Sequence, residues 1–152
     1  MKAIAVVRVR GTVNVKDKTE RTLRLLRLFK KHSCVILPAT PNIMGMLKSI
    51  EDYVTYGEID KETLKELILQ RGKLSVSKKV DEQYLSSKGG LDVIVDGVIQ
   101  GKISLTDLGV KPFRLSPPKG GFEHGGIKKR FKDGGVLGYR GDKINDLIRR
   151  MI

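Results

Sequence analysis

Lysines and arginines interleave with aromatic rings and paired glycines in PFRLSPPKGGFEHGGIKKRFKDGGVLGYRG, residues 112–141, the stretch of this chain best equipped for chemistry. Phe113, Phe122, Phe131 and Tyr139 each lie within a few positions of a cation. That pairing suits a polyanion with flat faces, because cationic groups neutralise phosphates while rings stack on unpaired bases. The stretch has no helical or strand period, so it cannot build a core of its own. A disordered basic tail is the plain alternative. Such tails are poor in aromatic residues, and the expectation is therefore a segment that orders against a partner.

A search for catalytic groups finds no constellation. GGIKKR lacks the spacing of a P-loop and the Ser or Thr that follows its lysine. The glycine pairs at 120–121, 125–126 and 134–135 read as turns and as places where backbone can approach a phosphate closely. Glu51 and Asp52 are sequence neighbours on a helix and point different ways, so they make a poor acid/base pair. His124, beside Glu123, reads as a polar contact, since a general base needs fixed partner geometry. With two histidines and one cysteine, the chain cannot supply the four ligands of a structural zinc site. No metal, cofactor or enzymatic activity is expected.

The 152 residues carry 30 Lys+Arg against 17 Asp+Glu, a net charge of +13. This balance favours a nucleic acid or an anionic surface as partner. Residues 1–58 hold 11 basic and 5 acidic side chains, residues 59–108 hold 8 of each, and residues 109–152 hold 11 and 4. Two basic regions thus flank a neutral middle. Cys34, alone, allows no intramolecular disulfide and reads as a small buried hydrophobe in a cytosolic protein. No apolar run approaches the roughly 20 residues of a membrane span, and MKAIAVVRVRG reaches an arginine too soon for a cleaved secretory signal.

The elements that must position these groups follow from periodicity. Ile4, Val6 and Arg8 alternate with Ala5, Val7 and Val9 in a strand over residues 3–9 buried on much of both faces. A helix over 19–31 carries Leu23, Leu26 and Phe29, joined by Leu25 and Leu28, as an apolar stripe, with Arg24, Arg27 and Lys31 on the opposite edge. CVIL at 34–37 is a second strand. Thr40 followed by Pro41 is a capped helix start with Ile43, Leu47 and Ile50 inward, and VTYGEI at 54–59 is a third strand. Right-handed crossovers would put both helices on one face and leave the other free for an added layer or a partner. Asp60 caps a helix to about residue 71, with Leu64, Leu67 and Ile68 inward and Gly72 as its stop. A short helix starts near Asp81. LDVIVDGVIQG, with a turn signal at Asp96-Gly97, fits either a hairpin or the end of a buried helix. Asp142 caps a last helix that buries Ile144, Leu147, Ile148 and Met151.

VVRVRGTVNVKDKTERTLRLLRL, PATPNIMGMLKSIEDYVTYGEI, GKLS, PFRLSPPKGGF and NDLIRRM occur in an order that resembles the large-subunit ribosomal protein L-thirty family. They are most similar to its longer archaeal type, itself similar to the eukaryotic protein L-seven. The resemblance spans essentially the whole chain, with the block 76–109 departing most from the family pattern. It implies an α+β fold: a β-α-β-α-β ferredoxin-like core over residues 1–59, with a small antiparallel sheet and two helices on one face. Residues 60–152 would form the archaeal/eukaryotic-type extension, made of the helix 60–71, a mixed middle, the basic loop 112–141 and the helix 142–152.

The function it implies is a non-catalytic constituent of the large ribosomal subunit in the cytoplasm, supporting assembly and translation. The implied partners are 23S ribosomal RNA, with the 5S region as a further candidate, and neighbouring large-subunit proteins; the chain is a monomer within the subunit and uses no membrane. The RNA-binding residues expected on this basis are Arg8, Arg10, Lys16, Lys18, Arg21, Arg24 and Thr40 in the core. In the extension they are Arg114, Lys119, Phe122, Lys128, Lys129, Arg130, Phe131, Lys132, Arg140, Arg149 and Arg150. An RNA-processing enzyme and a general nucleic-acid-binding protein are the alternatives.

Overall fold

A computed structural model describes residues 3–11, 13, 15–75, 78–105 and 107–152. In chain order it contains β1 (Ala3–Arg8), α1 (Asp17–Leu25), β2 (Ser33–Pro38), α2 (Pro41–Ser49), β3 (Val54–Glu58), α3 (Lys61–Arg71), α4 (Glu82–Ser87) and α5 (Leu91–Ile99). Then come β4 (Phe113–Arg114), β5 (Gly138–Tyr139) and α6 (Ile144–Met151), with 3-10 turns at Phe131–Asp133 and Gly141–Lys143. The sheet order is β4-β2-β1-β3-β5. β1 is antiparallel to both β2 and β3, β4 is antiparallel to β2, and β5 runs parallel to β3. The α+β fold with an antiparallel central sheet is as the sequence led us to expect. The right-handed crossover rule reaches only β2-α2-β3, whose strands run the same way; α1 joins antiparallel neighbours.

Alternation along β1 divides the core in two. Ile4 and Val6 face α1 and α2, packing with Leu23, Leu26, Leu28, Leu47 and Ile50. Ala3, Ala5 and Val7 face the other way, where Leu64, Leu67 and Ile68 of α3, Ile94, Val95 and Val98 of α5, and Ile144, Leu147, Ile148 and Met151 of α6 cover them. The second face of the sheet is therefore occupied by the chain's own extension. Each such aliphatic side chain contributes roughly 1.5–3 kcal/mol on burial. Both edge strands, β4 and β5, also follow β3 in the chain. Gly57 in β3 lets the turn at 141 come close: a Cβ there would sit 1.9 Å from the carbonyl oxygen of Gly141.

Side-chain caps fall where the sequence placed them. Thr40 accepts from the Ile43 amide at 3.3 Å, Asp60 from Thr63 at 2.7 Å and Asp81 from Tyr84 at 2.8 Å. Three expectations need correction. The first helix ends at Leu25, because Arg27 adopts a left-handed φ of 63° and the Leu28 amide turns back to the Leu23 carbonyl. Leu25 and Phe29 are consequently 69% and 53% exposed and leave the apolar stripe. Of the two forms open for LDVIVDGVIQG the helix is the one present, over Leu91–Ile99, and the turn expected at Asp96-Gly97 is absent, Gly97 lying inside the helix under Ile103. Asp142 does not cap α6 with its side chain; it sits in the 3-10 turn that leads in, and its carbonyl accepts from Asn145 Nδ2 at 2.9 Å. Among the described residues no helix is long and apolar enough to cross a membrane.

Candidate nucleic-acid interface

The Gly-rich segment is tied to the end of β1. Val9 forms a small buried cluster with Val136 and Leu137, flanked by Phe122 and Ile127. Within the loop, the Gly125 amide donates to Gly134, Gly135 to Arg130, and Val136 and Leu137 to Lys129. A Cβ at Gly135 would lie 2.3 Å from the Lys129 carbonyl oxygen, so this glycine serves close approach of the chain to itself rather than to a phosphate.

Two arginines hold the geometry from inside. Arg140, whose side chain is 1% exposed, donates from Nη1 to Glu123 Oε1 at 2.8 Å, from Nε to Thr55 Oγ1 at 2.8 Å and from Nη2 to the Val136 carbonyl at 2.8 Å. It also lies 4.7 Å over the Phe131 ring. Burial lowers its proton affinity, and the hydrogen bond it donates to Glu123 opposes that shift. Arg8 is likewise buried and donates to the Leu28, Arg10 and Gly11 carbonyls at 2.7, 3.0 and 3.3 Å. Burial lowers its proton affinity too, against the nearby charge of Glu20. Both are interior fasteners of the loops around them.

The two basic regions meet around residues 51–53. Arg10 places its guanidinium 5.2 Å over the Tyr53 ring and donates to the Asp52 carbonyl at 3.4 Å. At the neighbouring residue of this turn, Arg130 pairs with Glu51 at 2.8 Å. Lys128, Lys129 and Lys132 are exposed on the same loop. Lys16, Lys18, Arg21 and Arg24 are exposed along the start of α1, Arg24 pairing with Glu20 at 3.1 Å in a solvated contact of small energy.

The other expected residues lie elsewhere. Thr40 is spent as a helix cap. Arg114 stands on β4, at the far edge of the sheet. On α6, Arg150 donates to the Gly121 carbonyl at 2.8 Å and Arg149 lies 3.6 Å from Glu62. Lys119 is exposed next to them, its amide bonded to the Arg150 carbonyl at 2.9 Å.

The aromatic rings divide. Phe113 is 2% exposed and belongs to the core, contrary to its expected stacking role. Phe122 is half-buried and stacks on His32, with centroids 6.1 Å apart and 20° between planes. Burial, with Lys31 nearby, holds the His32 imidazole below its ordinary pKa. Tyr139 is 51% exposed, and its hydroxyl donates to Glu58, which pushes the phenol up to about 12. Cys34 is fully buried, and its thiol is also pushed up to about 12. Tyr53, Glu51 and Glu123 shape this surface without any sequence signal, since only the fold brings them beside Arg10, Arg130 and Arg140. Among the described residues, no group of three His, Cys, Asp or Glu side chains is placed to hold a metal ion.

Comparison with known proteins matches residues 4–54 to the family described as Ribosomal protein L30p/L7e. The Large ribosomal subunit protein uL30 of Methanococcus vannielii is 49% identical over 153 residues, covering 99% of each chain. Its counterpart in Nanoarchaeum equitans is 48% identical over all of both chains, and that of Archaeoglobus fulgidus is 45% identical over 97% of this chain and 98% of its own. With relatives 45–49% identical over 97–100% of its length, the chain belongs to the Ribosomal protein L30p/L7e family.

Proposed function

We propose that this protein is a structural constituent of the large ribosomal subunit, held to ribosomal RNA by the surface around Arg10, Lys16, Lys18, Arg21, Arg24, Lys128, Lys129, Arg130 and Lys132. The observation that carries this reading is the meeting of two basic regions, more than a hundred residues apart in sequence, around residues 51–53. A scaffold of packed helices and strands fixes one half of that surface, and a backbone-bonded loop supplies the other. Lys and Arg side chains replace condensed counterions, so affinity falls steeply with salt. Arg8, Arg140 and Thr40 act as positioning residues for this surface.

In this reading the chain works as a monomer within the cytoplasmic subunit, contacts 23S RNA with the 5S region as a further candidate, touches neighbouring subunit proteins, and performs no chemistry. The test is equilibrium binding of the full chain to refolded 23S RNA and to duplex DNA at matched salt. Tighter binding to the folded RNA, a steep salt slope and weakening by the double variant K128E/K129E are expected. Equal affinity for duplex DNA, or turnover of labelled RNA with Mg²⁺, would overturn the reading.

A further inference from the structure

Arg71, Lys73, Lys111 and Arg114 converge on a cavity of about 320 Å³ at the β4 edge of the sheet, completed by Ser75 and Pro112. Among the described residues no carboxylate lines it. Arg71 is fixed there by donating from Nη2 to Ser116 Oγ at 2.8 Å and from Nη1 to the Arg114 carbonyl at 3.3 Å. The Lys111 amide donates to the Lys73 carbonyl at 2.9 Å, which sets these two lysines side by side. Among the described residues none of the four cations forms an ion pair with a carboxylate, whereas three acids of the same region are paired elsewhere. Asp96 pairs with Lys61 at 2.8 Å and Asp92 with Lys65 at 2.6 Å, at the opposite end of α3, and Glu62 faces Arg149. Three of the eight acids in the neutral middle thus neutralise cations other than the four around the cavity. Four cations around one concavity focus a positive potential that an anion relieves.

We infer that this concavity is a second phosphate-binding cleft, which grips the sugar-phosphate backbone of an RNA segment different from the one on the β5 side. The inference rests on the ribosomal RNA reading above. Four strand spacings of about 4.8 Å separate the β4 and β5 edges, roughly 19 Å, and adjacent phosphates of one strand cannot fill both sites. Two such sites make the protein a brace between RNA segments. The lining favours phosphate over an acidic protein segment, because four of its six described residues are cations and Pro112 is the one apolar residue among them.

The test compares the full chain with K73E/K111E and, separately, K128E/K129E on refolded 23S RNA, by filter binding and hydroxyl-radical footprinting. The unaltered protein is expected to protect two separated sets of nucleotides. K73E/K111E should lose one set, bind about tenfold more weakly and show a log affinity–log salt slope shallower by about one to two; K128E/K129E should lose the other set. Lys73 and Lys111 are exposed, so an unchanged thermal midpoint is expected, and K73Q/K111Q should give the same loss in milder form. Retention of both protected sets and of affinity by K73E/K111E overturns the cleft. Unchanged RNA affinity with failed incorporation into subunits overturns it in favour of an acidic protein neighbour. Absence of any protection by the unaltered protein overturns the ribosomal RNA reading together with it.

Discussion

The helical layer of α1 and α2 and the Gly-rich segment 112–141 are fastened to the same sheet by different physics. The first is held by aliphatic side chains meeting Ile4 and Val6 across a buried interface. The second buries Phe113 and Leu115 in one core and Val136 and Leu137 against Val9 in another, and between these anchors it is held by main-chain bonds, two-residue edge strands and the buried Arg140 network. A surface that meets a polyanion needs exposed cations, and a chain segment rich in them has few residues left for a core. Internal hydrogen bonds solve that shortage, at the cost of depending on a few polar groups.

Breaking the polar network should show the largest effect. Arg140→Ala leaves Thr55 and the Val136 carbonyl without their donor and Glu123 with the longer 3.8 Å contact to Arg150, and should cost about 3–5 kcal/mol in the stability of the segment, read as hydrogen-exchange protection lost across residues 122–140. Equal loss across α1 and α2 would show that the two regions are not separately held. Leu47→Ala, in the aliphatic layer, should cost about 2–4 kcal/mol, spread over the whole domain in denaturant unfolding. Protection lost only in α2 would contradict a shared core. Gly57→Ala drives a methyl into the Gly141 carbonyl and should cost about 1–3 kcal/mol, lowering the thermal midpoint; a neutral result would mean that the contact between β3 and the turn is loose. The smallest change is Thr40→Ala, which removes one cap and should cost about 1 kcal/mol with RNA affinity unchanged, by titration. A marked loss of affinity would make Thr40 a direct contact.

Legibility in the sequence follows the same division. The strands over 3–9, 34–37 and 54–59 carry clear patterns, and Thr40, Asp60 and Asp81 announce helix starts, because caps and periods are local. The left-handed turn at Arg27 was hidden: nothing in RLLRLFK marks a non-glycine residue for positive φ, and the leucines run past the true helix end. β4 and β5 are two residues each, too short to show a period. Arg8 and Arg140 read as surface cations because sequence shows charge but not depth. The cleft at the β4 edge was invisible for a related reason: Arg71 and Lys73 sit in a block whose charges cancel, and only folding brings them to Lys111 and Arg114 while sending Asp92 and Asp96 to the other end of α3.

Sucrose-gradient sedimentation of cell lysate at low and high salt, following this chain by antibody, tests the ribosomal role most directly. Migration with the large subunit that survives high salt and disappears after RNase treatment is the predicted result. Free protein at the top of the gradient even at low salt would contradict it.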